Sequence, residues 1–161
     1  MSRNFLDVSR NRQLFLDDLV LERSINTSIS LHTPNSKGPV LFADKNFKQK
    51  SIQSRSAPQW NSEKNFGEYF YFSMGDNDLY KVRKSLYATS KDGVNWDKPN
   101  LGLYEFDGET NIAFDPTKYS SVGNQDYIYH IIRDETEQNS SRRYKGLFGS
   151  KDRKVGFSPD G

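Results

Sequence analysis

Few residues in this chain are of a type and spacing that can carry chemistry. Asp17 and Asp18, inside Leu14–Glu22, form an adjacent carboxylate pair. Neighbouring positions on a strand point to opposite faces, so only one of the two can face a cavity as a base or nucleophile. The other reading is a turn pair that satisfies backbone N–H groups. His32 and His130 are the only histidines, and neither has a Glu or His at ligand spacing, so no zinc site is indicated. His130 lies in an apolar segment and is expected to be a buried or cavity-lining hydrogen-bond donor. Asp76-Asn77-Asp78 starts like a calcium loop but lacks the glycine and the later Glu, and reads as a solvated hairpin tip. No glycine-rich phosphate loop and no nucleophile elbow is present, so no cofactor is implied. Trp60 offers a flat apolar face, either for the core or for stacking on a sugar ring.

Composition narrows the classes of function. The 161 residues allow one domain or a piece of a larger one. With no cysteine, a disulfide scaffold and Cys-ligated metal are excluded. No stretch reaches the roughly 20 apolar residues of a spanning helix, so no membrane association is expected. The start, MSRNFLDVSRNRQ, lacks the apolar run of a secretory leader and leads to the expectation of a cytoplasmic chain or a trimmed N-terminus. The 23 basic residues are balanced by 21 acidic ones and are dispersed, which argues against nucleic-acid binding. The 9 Tyr, 11 Phe and 2 Trp argue against disorder and for half-buried strands.

The elements that must position these residues read as short strands. Gln13–Glu22 suggests two short strands or one bulged strand, and Ile29–Thr33 alternates before Pro34. Residues 43–56 are polar and read as a long surface connection. Gly67–Ser73, Ser85–Ser90, Leu103–Phe106, Tyr127–Ile132, Arg143–Phe148 and Lys154–Ser158 read as strands, and Pro58–Trp60 as a strand end. Ser-x-Asp-Gly recurs at Ser90 and Ser158, each time closing an aromatic strand pair, with Tyr69 expected to correspond to Tyr144. In that turn Asp92 is expected to accept backbone N–H bonds, Gly93 to supply positive φ, and Trp96 to fold back as filler.

LFLDDLVLE at 14–22, SKDGVNW at 90–96, KPNLGLYEFDG at 98–108, Arg143-Tyr144-Lys145 and FSPDG at 157–161 occur in that order. This set resembles the N-terminal part of a bacterial family of glycosyl-hydrolase-like five-bladed β-propellers, related to glycoside hydrolase families 43, 32 and 68. The resemblance implies an all-β fold of four-stranded blades, about two of them in residues 1–161, so the chain is expected to be a fragment. The repeats would span about 57–108 and 127–161, with N-terminal strands in 13–42. It also implies a protein that hydrolyses or binds plant or algal polysaccharide, or an inactive truncated product. Glycoside hydrolysis needs two carboxylates flanking the scissile bond. Asp17, Asp18 and Asp134 are the expected contributors. Arg133-Asp134 resembles the Arg-Asp-Pro element of family 32, with Glu135 in place of the proline, and otherwise suits an exposed turn. Trp60, Arg133 and His130 are the expected substrate contacts. Two uncovered blade faces would favour self-association.

Overall fold

The computed structural model describes residues 17, 21–45, 49–75, 84–106, 108–115, 128–149 and 153–161. The chain divides into two units, Met1–Ser36 and Lys37–Gly161. In the first, residues 21–36 form no regular secondary structure. The strand expected at Ile29–Thr33 is absent: the alternation is real, but no strand among the described residues pairs with it, and Leu31 is 93% exposed. Of the strands expected in 13–22, only residues 17, 21 and 22 are described, and none is in a strand.

Among its described residues the second unit is all-β, with two antiparallel sheets. The first sheet has the order β1 (Gln49–Gln53), β3 (Phe66–Gly75), β4 (Ser85–Ser90), β5 (Ile112–Phe114), and β2 (Gln59–Asn61) also pairs with β3. β3 is long because FGEYFYFSMG alternates aromatic residues on both faces. Strands β1 and β2 run along successive halves of it, interrupted at 54–58, where Ser54 Oγ donates to the Phe70 carbonyl at 2.7 Å. Residues 43–56 are therefore not all surface connection: Gln49 and Ile52 turn inward, and Gln49 Nε2 donates to buried Glu109.

The second sheet is a meander of β6 (Ile128–Arg133), β7 (Tyr144–Phe148) and β8 (Lys154–Ser158). Strand β6 is an edge strand, and side chains of the first sheet satisfy its free N–H groups. Ser56 Oγ accepts from Ile131 N at 2.9 Å, Gln59 Oε1 from Arg133 N at 2.7 Å and Ser85 Oγ from Ile128 N at 3.2 Å. Such an edge is closed to pairing with a foreign strand.

Register assigns the faces. Gly67, Tyr69 and Tyr71 lie opposite Ser90, Ala88 and Leu86 on one face of the first sheet, while Glu68, Phe70 and Phe72 share the other with Thr89, Tyr87 and Ser85. The second face meets the second sheet: Phe70 and Tyr87 cluster with Ile131 and Tyr144. Burying each large apolar side chain there is worth about 1.5–3 kcal/mol. The first face carries a separate core of Tyr71, Leu86, Ala88 and Ile112, covered by Leu41, Trp96 and Tyr104 from the same unit.

The Ser-x-Asp-Gly strands align through this register. Ser90 lies opposite Gly67, and Ser158 lies opposite Tyr144. Gly67, not Tyr69, is thus the counterpart of Tyr144, which leaves the face assignment intact because the side-chain period is two. Tyr144 points toward the first sheet, whereas Gly67 points away from the second. Unlike faces of equivalent sheets are therefore in contact.

Candidate functional site

Two turns built from the same short motif frame the polar chemistry. After β4, Gly93 N donates to Ser90 Oγ at 2.9 Å, and Val94 N and Asn95 N donate to Asp92 Oδ1 at 2.8 and 2.7 Å. Gly93 adopts φ +73°, as the sequence leads one to expect. The backbone N–H groups of Asn95 and Val94 hold the Asp92 carboxyl well below the usual carboxylate range. After β8 the pattern recurs, with Gly161 N on Ser158 Oγ at 3.1 Å and Ser158 Oγ on Asp160 Oδ1 at 2.8 Å. The hairpin starts match too. Asn61 Oδ1 accepts from Glu63 N and Lys64 N, and Asp134 Oδ1 accepts from Thr136 N, in equivalent turns after β2 and β6.

Trp60 stands on β2 opposite Gly67, on the face that points away from the second sheet. Trp96 folds back over that face, its ring 5.6 Å from Tyr69 and its Nε1 donating to the Gly93 carbonyl at 3.1 Å. Gly67 leaves room for this, since a Cβ there would lie 4.0 Å from Trp96 Cη2 and 3.3 Å from the Ser90 carbonyl. Between the two indoles lies an open depression of about 370 Å³ with Lys91 and Asp92 among its lining residues. Trp60 is 53% exposed, so it is not a core residue.

A second polar group is sealed between the sheets. Glu68 is 0% exposed. Its Oε1 accepts from Asn61 Nδ2 at 3.0 Å and Tyr87 OH at 2.8 Å, and its Oε2 accepts from Tyr144 OH at 2.7 Å. Burial, reinforced by the Glu68 carboxyl, pushes both phenols well above their ordinary range, so both remain donors. No solvent path reaches a fully buried side chain, and the arrangement joins sheets rather than processing a ligand. Pure composition hides it, but the alternation in GEYFYF places Glu68 on the face of Phe70 and Phe72.

The residues singled out from sequence do not converge. Asp17 is exposed and belongs to the first unit, and Asp18 lies outside the described residues. So does Asp76-Asn77-Asp78. Asp134 sits in the turn after β6, ion-paired with Lys145, which also meets Glu137 at 2.9 Å. The Lys145 ammonium, then Thr136, hold its carboxyl far below the usual range. A carboxyl so placed neither donates a proton near neutral pH nor accepts one readily. Arg133 is buried at the end of β6, with Glu63 and Glu135 against its guanidinium and its Nε without a hydrogen-bond partner. His130 is exposed on the outer face of the second sheet, not buried or cavity-lining. Period two explains the difference: Ile131 and Arg133 turn inward, so His130 and Ile132 turn out.

Among the described residues no three or more His, Asp or Glu side chains are grouped as metal ligands, and no helix is long and apolar enough to cross a membrane. Comparison with protein-family models, with curated proteins and with solved structures gives no match to this chain.

Proposed function

We propose that residues 37–161 form two consecutive blades of a glycosyl-hydrolase-like propeller and that the chain binds carbohydrate through the depression at Trp60. Support for the blades comes from the contact of unlike faces. Radial repetition of one sheet lays the front of each copy on the back of its neighbour. The matching turns at Ser90 and Ser158, and at Asn61 and Asp134, support the same repeat. In this reading the outer face of the second sheet, where Ile132, Leu147, Val155 and Phe157 are exposed, docks another blade or a second copy of the chain.

The observation that carries the binding reading is the exposed Trp60 indole beside a polar rim. A sugar presents apolar C–H faces to an aromatic ring and hydroxyls to neighbouring donors and acceptors, here Lys91 and Asp92. The rim is held rigid by the Asp92 turn, which lowers the ordering cost of binding. Binding is favoured over hydrolysis because Asp134 is committed to Lys145 and Thr136.

Titration with soluble plant and algal oligosaccharides, read by isothermal calorimetry, tests this. Trp60→Ala is expected to weaken binding at least about tenfold, equivalent to roughly 1.4 kcal/mol. Asp134→Asn is expected to leave it unchanged. Equal affinity in Trp60→Ala, or no retention of any oligosaccharide by the intact chain, overturns the proposal.

A further inference from the structure

We propose that Arg55, Arg153 and the Tyr129 ring form a binding site for a tetrahedral dianion, a sulfate or phosphate group. The site shares no residue with the Trp60 depression and does not rest on carbohydrate binding. Three segments from the two sheets meet there. Tyr129 is the extra residue of a bulge in β6, because the register against β7 shifts between Ile128 and His130. A bulge re-aims the side chain it carries. Arg55 comes from the break between β1 and β2, and Arg153 directly precedes β8. The guanidinium carbons of Arg153 and Arg55 lie 3.8 and 5.9 Å from the centroid of that one ring.

Two like charges are thus gathered on one phenol, and among the described residues neither meets a carboxylate. Arg133 and Lys145 differ, since each is ion-paired with two carboxylates. Attraction to the ring face holds both guanidiniums but leaves their charge in place. Fixed backbone positions them. The residues on either side of Arg55 are tied down: Ser54 Oγ donates to the Phe70 carbonyl at 2.7 Å, and Ser56 Oγ accepts from Ile131 N at 2.9 Å. Arg153 Nη1 donates to the Gly149 carbonyl at 2.7 Å, which steadies the group and keeps its Nε and Nη2 donors for a ligand. Such ordering before binding lowers its cost. A carboxylate has a single two-oxygen edge and fills one guanidinium fork. A sulfate or phosphate group has further edges, so both arginines can hold it at once. Both side chains are exposed, so the ligand enters directly from solvent.

The full chain, labelled with nitrogen-15, is titrated with sodium sulfate and with sodium phosphate at constant ionic strength, and the arginine Nε–Hε signals are followed by NMR. Saturable shifts are expected at Arg55 and Arg153. Arg55→Gln and Arg153→Gln are each expected to weaken binding at least about fivefold. Arg55→Lys keeps the charge without the fork and is expected to restore only part of the loss. Arg142→Gln removes the same charge from another ring-stacked arginine, 4.4 Å from the Phe157 centroid, and is expected to change nothing. All three arginines are exposed, so the variants keep the fold. Glucose 6-sulfate and glucose 6-phosphate form a second arm. Tighter binding than the inorganic anions assigns the site to an ester-borne group, and equal or weaker binding assigns it to the free anion. Shifts that do not saturate overturn the proposal, as does acetate binding as tightly as sulfate. Unchanged affinity in either glutamine variant, or a loss in Arg142→Gln that matches theirs, overturns it too.

Discussion

Tyr144→Phe is the sharpest perturbation of the contact between the sheets. The substitution keeps the ring, its T-shaped contact with Phe70 at 6.4 Å and the packed volume, and removes one oxygen. That oxygen donates to Glu68 Oε2 at 2.7 Å and accepts from Asn61 Nδ2 at 3.1 Å. Asn61 Nδ2 keeps its bond to Glu68 Oε1, but Oε2 loses its donor inside a fully buried site. A buried acceptor left unsatisfied costs about 1–3 kcal/mol, and more when it is charged, so the loss is expected near 2–3 kcal/mol. Tyr87→Phe removes a donor from Oε1, which Asn61 still serves, and is expected to cost only about 1 kcal/mol. Urea unfolding with an unchanged slope measures both. In a Glu68→Gln background the Tyr144→Phe cost is expected to shrink, since a double-mutant cycle isolates the pair. A Tyr144→Phe cost equal to or below that of Tyr87→Phe refutes the assignment of Tyr144 as the donor that joins the sheets.

The remaining expectations concern pH and the turns. Burial holds the phenols of Tyr71, Tyr87 and Tyr144 above their unfolded value of about 10, so the folded state keeps protons that the unfolded state releases. Their contribution is complete below about pH 10 and is lost as pH rises toward the folded values, at about 1.4 kcal/mol per pH unit for each phenol. Alkaline denaturation followed by circular dichroism checks this, and Tyr144→Phe is expected to flatten the slope by one phenol's share. Asp92 and Asp134 act in the opposite sense. Their depressed carboxyls support the fold above about pH 4 and lose that support as pH falls through the folded values, so acid titration with and without Asp92→Ala separates the turn from the rest. Ser90→Ala removes the buried hydroxyl that accepts from Gly93 N and is expected to cost about 1 kcal/mol in a thermal melt. Ser158→Ala, at an exposed turn, is expected to cost less.

The strands that were legible are those whose own residues insist on a ladder. GEYFYFS, SLYATS, IYHII and KVGFS are dense in aromatic and β-branched residues, and each lies in a strand of the second unit. The missed strands fail that test. QKSIQ is polar, and it is a strand because β3 has a free edge and because Glu109 is placed to bond Gln49. Ile112–Phe114 is too short to show a period. Ile29–Thr33 shows the opposite error, with a sound alternation but no strand partner among the described residues. For the candidate site, Trp60 was visible as a type of residue, yet its exposure depends on which face of β2 points outward, and that is fixed by pairing with Gly67. Arg133 and Asp134 looked like chemistry because charge was read without its partners, and Glu63, Glu135 and Lys145 are remote or unremarkable in sequence.

The front-to-back contact of the sheets bears on how such a protein can end. A self-complementary interface is satisfied by two copies, but a heterologous one is not: each unit that hides one surface presents the other afresh. Growth by this rule halts only when the array closes into a ring or when something unlike the unit caps it. Substitutions that enlarge the apolar stripe of Ile132, Leu147, Val155 and Phe157 therefore carry a risk of filaments rather than of dimers.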